Sequence, residues 1–299
     1  MSPVRSRRST PNRKKGLKAT AKASRAPRKR GPGRKYPELP EPAVEASAVT
    51  QGDRLQKVIA NAGLGSRRQV EQWITEGKIR VNGEVAELGM RVTSADRVQV
   101  NGRYMSTRHT GRTRVLMYHK TVGELTSRSD PQGRPVVFDK LPSLNGQRWI
   151  SVGRLDMNTS GMLLFTTDGE LANRLMHPSS EVSREYLVRV LGDVKQQDIL
   201  RVSTGVELED GVASFDEIEP IGGRGANAWY RVVVREGKNR LVRRLWESQG
   251  FTVSRLKRSS YGPLSLPRDL SPGRWVELDR DQIKILRNAA KPKLVKDVD

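Results

Sequence analysis

The 299-residue chain has no cysteine and only three histidines. The first absence excludes disulfides, thiolate metal centres, iron–sulfur clusters and cysteine nucleophiles. The second leaves little for a histidine metal site: His109, His119 and His177 stand far apart with no ligand spacing, so each is assigned an ordinary surface or core role. No apolar run approaches the roughly 18 residues of a membrane span, and no membrane partner is expected. Acidic residues are scarce as well, 33 Asp and Glu against 55 Lys and Arg, for a formal net charge of +22. Such a balance favours a polyanionic partner, because each phosphate neutralised by Lys or Arg releases condensed counterions. Nucleic acid is the first candidate. Charge alone separates neither RNA from DNA nor binding from chemistry, and an acidic membrane surface competes with both.

Residues 1–50 carry fourteen Lys and Arg against Glu38, Glu41 and Glu45, about half of the net charge, with no apolar periodicity. This composition predicts a disordered basic arm able to track a polyanion, or simply to keep the chain soluble. Pro27, Gly31, Pro32 and Gly33 interrupt any amphipathic helix of the kind a transit peptide needs.

Order is expected from Asp53. Leu55, Val58, Ile59 and Ala62 follow helical spacing, and Gly63 and Gly65 end that helix. Ser66 stands three residues before Gln69 as a capping box, and Val70, Trp73 and Ile74 supply the buried stripe of a second helix up to Gly77. Lys78 to Val81, the turn pair Asn82-Gly83 and the segment from Glu84 read as a β-hairpin, with Arg91 to Val100 continuing as strand. The stretch RLQKVIANAGLGSRRQVEQWITEGKIRVNGEVA resembles the S4 RNA-binding domain. Arg67 and Arg68 fall in the first turn of the second helix, where free N–H groups and guanidinium forks together can engage a phosphate. Lys78 and Arg80 extend that surface. The bland reading of all four is a solvated helix end with scattered charge. The module is assigned to residues 52–110.

A basic connector leads to a second domain, residues 112–288, in which strands and helices alternate; residues 289–299 read as a frayed tail. Val115 to Tyr118, Trp149 to Val152, Met162 to Thr167, Arg184 to Leu191 and Trp229 to Arg235 read as strands. Thr167 and Glu170 form a capping box for a helix that Pro178 stops, and Asn239 to Ser248 is a helix closed by Gly250. The fold class is α+β.

The polar loop Gly153-Arg154-Leu155-Asp156-Met157-Asn158-Thr159-Ser160-Gly161 joins two apolar strands and holds a carboxylate at its centre. Loops on rigid frames carry function, and an aspartate, anionic at neutral pH, can act as nucleophile or base. Asn158, Thr159 and Ser160 are equally suited to a purely structural Asx-type turn. Tyr186, Val188 and Val190 share one strand face, so the Tyr186 ring borders either a pocket or the core. In EGKNRLVRRL, Arg240, Arg243 and Arg244 line one side of the helix at i, i+3 and i+4, which most often means a solvated face.

Taken in order, GRLDMNTSG, REY and EGKNRLVRRL resemble the three active-site motifs of the RsuA-type pseudouridine synthases, over about 230 residues once the S4-like module is included. HKTVGELTSRSDPQGRPVVFDKLP and TTDGELANRLMHPS are similar to the RluB branch of that family, which acts on bacterial large-subunit (23S) rRNA. The resemblance implies an S4 domain followed by a catalytic domain with a mainly antiparallel mixed sheet flanked by helices, and conversion of a specific uridine to pseudouridine without cofactor or metal. It implies that Asp156 is catalytic, by attack at the sugar C1′ or by base-assisted elimination through a glycal. It also implies that Tyr186 stacks on the target uracil, that Arg243 pairs with Asp156, and that Arg154 lies near the target phosphate or fills the space the base vacates. Lys238 and Arg240 are expected to contact RNA, and Leu241 and Val242 to pack below the site.

Three readings compete. A small-subunit rRNA enzyme of the same type is the nearest. A noncatalytic S4-type RNA-binding or ribosome-assembly protein would not need Asp156, Tyr186 and Arg243 together. A glycoside hydrolase using Asp156 and Asp168 would release free uracil, and Asp168 sits where a helix cap suffices. Gly63-Leu64-Gly65 lacks the preceding strand of a dinucleotide site. The expected partner is rRNA, free or in a large-subunit assembly intermediate, and a ribosomal substrate implies a cytoplasmic protein.

Overall fold

The computed structural model describes residues 52–106, 112–144, 146–224 and 226–291. The expectations for the basic segment 1–50, for His109 and for the C-terminal tail from residue 292 lie outside the described residues.

The N-terminal module forms because two short helices each bury one stripe against a small sheet. After β1 (Asp53–Arg54), α1 (Leu55–Asn61) buries Leu55, Ile59 and Ala60, and α2 (Arg67–Thr75) buries Val70 and Ile74. Ser66 caps α2, its hydroxyl accepting from the Gln69 N–H at 3.1 Å. β2 (Ile79–Val81) and β3 (Glu84–Val85) form the expected hairpin, with positive φ at Asn82 (53°) and Gly83 (98°) as a tight primed turn requires. The strand expected over Arg91 to Val100 is broken into β4 (Arg91–Val92), which pairs with β1, and β5 (Val98–Val100), which pairs with β2. The break is a local hydrogen-bonded turn: the Asp96 carboxylate accepts from the Thr93 N–H at 2.7 Å, the Thr93 hydroxyl at 2.9 Å and the Asn82 amide at 2.9 Å. β6 (Arg103–Met105) completes a four-stranded sheet in the order β3-β2-β5-β6.

The larger module is built on a nine-stranded mixed sheet. β7 (Val115–Lys120) is buried along its whole length; β8 (Ile150–Val152) and β9 (Ser160–Thr166) flank the polar loop, and α3 (Gly169–Met176) follows. Next come β10 (Arg184–Leu191), α4 (Gln196–Thr204), β11 (Glu217–Arg224), β12 (Asn227–Val234) and α5 (Leu241–Glu247). β13 (Thr252–Tyr261), β14 (Leu264–Ser265), β15 (Trp275–Glu277) and α6 (Arg280–Ala289) close the module. The strand order is β11-β12-β10-β13-β9-β7-β15, with β14 on β13 and β8 on β9; among the described residues of this sheet only the β13–β9 pairing is parallel. One core lies between β7, β9, α3 and α6, and another between β10, β12, β13 and α5 around the fully buried Trp246. Each fully buried aliphatic or aromatic side chain contributes about 1.5–3 kcal/mol of transfer free energy. His119 joins the interior, its Nδ1 2.7 Å from the Leu270 carbonyl, while His177 is exposed.

Two helix starts differ from expectation. Asp168, not Thr167, caps α3, because its carboxylate reaches the N–H groups of Glu170 and Leu171 at 3.0 Å each. Helix α5 begins two residues late, because Arg240 takes a left-handed conformation at φ 49°.

Candidate active site

The loop between β8 and β9 is fixed carbonyl by carbonyl. The Thr126 hydroxyl donates to Leu155 O at 2.9 Å. The ammonium of Lys120 donates to Asp156 O at 3.0 Å, to Thr159 O at 2.9 Å and to Thr121 O at 2.9 Å. The Gly123 N–H donates to Met157 O at 2.9 Å, and Arg243 Nη2 to Asn158 O at 2.9 Å. Five successive carbonyls, from Leu155 to Thr159, thus have donors from elsewhere in the domain. The Asp156 carboxylate itself has no hydrogen bond or ion pair among the described residues. The backbone is held and the carboxylate is free, an arrangement suited to positioning a side chain for chemistry.

Lys120 was missed by sequence reasoning. It is fully buried at the end of β7, and beside it the equally interior Glu124 carboxylate accepts from the Tyr118 hydroxyl at 2.8 Å. Burial lowers the Lys120 pKa to about 8, against the pull of Glu124 and Asp156. Burial and the Glu124 carboxylate push the Tyr118 pKa up.

A cavity of about 370 Å³ opens over the loop, a size that suits a small ligand. Asp156 and Tyr186 both line it, as do Arg154, Lys238 and Arg240, so five of the expected site residues share one cavity. Tyr186 and Arg184 face it from β10, whereas Glu185 between them points to the other side and pairs with Arg231 at 3.1 Å. Lys238 reaches Val212 O at 2.8 Å and Glu236 at 2.9 Å, Arg240 pairs with Glu247 at 3.1 Å, and Arg154 is exposed. Leu241 and Val242 are buried beneath, as expected.

Arg243 is held on the loop backbone two residues from Asp156 and not on its carboxylate, where the resemblance implies it. It is buried at 8% exposure and forms no ion pair with Asp156; its two terminal nitrogens bridge Asn158 O and Val253 O, each at 2.9 Å. Burial, with Arg240 nearby, lowers its pKa, and the Asp156 charge opposes that. Of the three arginines in the stripe Arg240 is exposed, while Arg243 is buried and Arg244 forks onto Asp210 at 2.8 and 2.9 Å.

Arg67, Arg68, Lys78 and Arg80 lie on the small module, outside the cavity. Arg67 and Arg68 are exposed in the first turn of α2. Lys78 pairs with Glu76 at 2.6 Å and Arg80 donates to Gly83 O at 2.9 Å.

Two cavity-lining arginines, Arg184 and Arg258, were also missed. Both sit at inward positions of strands, where a charged residue breaks the apolar alternation, and that break was the available signal. Gly161 lets β9 approach β13 here: a Cβ at this position would stand 2.2 Å from Arg258 O, and its φ is +106°.

Residues 114–248 match the family model described as RNA pseudouridylate synthase, and residues 53–98 match the S4 domain. The chain is 58% identical over 241 residues to "Ribosomal large subunit pseudouridine synthase B" of Xanthomonas campestris pv. campestris, covering 79% of this chain and 49% of that protein. It is 54% identical over 253 residues to the protein of that name from Haemophilus influenzae, covering 83% and 71% respectively. The chain spans about half the length of several such relatives. In a solved structure described as a pseudouridylate synthase the same fold recurs at a TM-score of 0.56 and 24% identity, over 78% of this chain and 99% of that one.

Proposed function

The chain belongs to the RNA pseudouridylate synthase family, and from that membership and the geometry around Asp156 we propose that it isomerises a uridine of large-subunit rRNA to pseudouridine. The observation that carries the reading is a loop with every carbonyl from Leu155 to Thr159 held, whose one carboxylate is left unpaired in a cavity shared with an aromatic ring.

The sugar C1′ of a stacked nucleotide is out of reach, so the uridine must be everted into the cavity, at a cost of a few kcal/mol. Tyr186 offers a stacking face that returns about 1–3 kcal/mol. Asp156 acts at the sugar, either on C1′, from which the base later displaces it, or by removing the C2′ proton, which it returns to C2′ when the base rejoins C1′. Either way the N1–C1′ bonding pair leaves with the base. The base turns, C5 bonds to C1′, the C5 proton is lost and N1 gains one, so the product has the mass of the substrate. Arg243 serves as a positioning residue through Asn158 O. Arg154, Lys238 and Arg240 at the cavity, and Arg67, Arg68, Lys78 and Arg80 on the S4 module, contact RNA phosphates. The relatives' name favours the large over the small subunit, and such a substrate implies a cytoplasmic site of action.

The test uses the full chain and rRNA tritiated at uridine C5. Wild type is expected to release tritium with no change in RNA mass, and Asp156→Asn to release none while retaining most RNA affinity. Free uracil in the supernatant would make the protein a glycosidase, and turnover by Asp156→Asn would remove Asp156 from the reaction.

A further inference from the structure

The floor of the Asp156 cavity holds a donor that none of the described residues uses. Arg258 is 2% exposed and lines the cavity. Its Nε donates to Met162 O at 2.7 Å and its guanidinium lies 5.1 Å from the centre of the Tyr261 ring. Its Nη2 is buried with no hydrogen-bond partner, and no carboxylate among the described residues pairs with its charge. Arg184 on the same sheet face differs, since Nη1 donates to Arg235 O at 2.8 Å and Nη2 reaches the Tyr261 hydroxyl at 3.5 Å. A second cavity-lining group, the Thr159 hydroxyl, is likewise buried and unpartnered. Orphaned buried donors are rare because each has given up its hydrogen bonds to water without replacement, a loss greatest for a charged group.

The strand register places these groups beside the stacking ring. Tyr186 on β10 is directly opposite Arg258 on β13, and Arg258 is opposite Gly161 on β9, two residues from Thr159. A base lying on the Tyr186 ring therefore presents its edge to the cavity floor. The exposed Arg154 and Arg240 suit hydrated backbone phosphates; the deeply buried Arg258 does not.

Resting on the isomerase reading, we infer that Arg258 is a further catalytic residue: its Nη2, flanked by the Thr159 hydroxyl, donates to a uracil carbonyl oxygen and takes up the negative charge of the departing base. When N1–C1′ breaks, the bonding pair enters the ring and spreads over N1, O2 and O4. A guanidinium already desolvated and aimed at one of those oxygens binds the uracilate more tightly than the neutral nucleoside, which is what accelerates the bond-breaking step.

The experiment crosses the enzyme residue with the substrate atom. The full chain, as wild type, Arg258→Met and Arg258→Lys, is given RNA carrying uridine, 2-thiouridine or 4-thiouridine at the position it modifies, under single-turnover conditions. A thiocarbonyl accepts hydrogen bonds poorly, so one of the two thio substrates is expected to slow wild type about tenfold, close to 1.4 kcal/mol. Arg258→Met is expected to lower the uridine rate about 100-fold with RNA affinity within about twofold, and to treat that thio substrate and uridine alike within about twofold. Arg258→Lys should recover part of the rate, which a merely structural arginine would not predict. A wild type indifferent to both thio substrates overturns the inference without needing any variant to fold. So does a thio penalty that persists undiminished in Arg258→Met. Absence of any product from wild type and uridine would instead sink the isomerase reading.

Discussion

The ammonium of Lys120 lies 3.0 Å from the backbone oxygen of Asp156 and 2.9 Å from that of Thr159, so one buried cation clasps the Asp156 loop on both sides of its turn. Lys120→Met keeps the volume and removes the clasp. We expect kcat to fall about 10–100-fold, the equivalent of one or two charge-assisted hydrogen bonds, with RNA affinity within about twofold. Gel-shift affinity measured beside single-turnover rate separates the two; equal losses in both would mean the loop is not what Lys120 serves.

The same lysine gives a pH dependence with a definite sign. With its pKa lowered from the ordinary 10.5 to about 8, Lys120 loses a proton, and one donor, as pH rises through about 8. The rate should therefore show a basic limb near pH 8 that Lys120→Met lacks. Stability moves the other way. Between about 8 and 10.5 the unfolded chain binds the proton that the native state has shed, so this group's contribution to the unfolding free energy rises with pH. Urea denaturation at pH 7 and pH 9, wild type against Lys120→Met, reads that difference, and a wild type that loses stability relative to the variant would contradict it.

Arg243 bridges two carbonyls 95 positions apart, Asn158 and Val253, each at 2.9 Å. A lysine cannot reproduce that planar fork. Arg243→Lys should thus lower kcat about 10–100-fold despite keeping the charge, with little change in KM. Near wild-type kcat in this variant would return Arg243 to a role of simple charge.

Gly161→Ala should be among the most destabilising single changes in the chain, by more than about 3 kcal/mol. The new Cβ meets Arg258 O at 2.2 Å, both atoms are fixed by backbone, and φ is +106°. Urea midpoints measure this directly, and a loss below 1 kcal/mol would show that β9 and β13 can part without cost.

On the S4 module, Arg67→Ala and Arg68→Ala should weaken RNA binding uniformly and flatten its salt dependence. Each lost phosphate contact removes about 0.7 from the log–log slope for single strands. Tritium release at saturating RNA should be unchanged, since neither arginine lines the Asp156 cavity.

How far the sequence carries depends on the range of the forces that decide each element. Helix α2 was legible because a cap at Ser66 and an apolar stripe at Val70 and Ile74 are local signals. So was β10, whose bounds coincide with the expected Arg184 to Leu191. The loop holding Asp156 was also legible, since it lies between two apolar strands. Its fixation was not: Thr126, Lys120 and Arg243 are 29, 36 and 85 positions from the carbonyls they hold. The ten-residue β13 was missed because Ser254, Arg255, Lys257 and Arg258 disguise its alternation, and Arg258 is buried only because β9 and β10 close over both its sides. The two-residue delay of α5 turned on a left-handed Arg240, which no propensity favours.

The parallel contact between β9 and β13 also has a meaning in time. Gly161 and Arg258, which it joins, are 97 positions apart. At translation speeds of about 5–20 residues per second, a growing polypeptide bears its aspartate for roughly 5–20 s before the floor beneath it has been made. Throughout that interval the loop waits for the strand on which it will rest, so the cavity around Asp156 is among the last features of the domain to be completed.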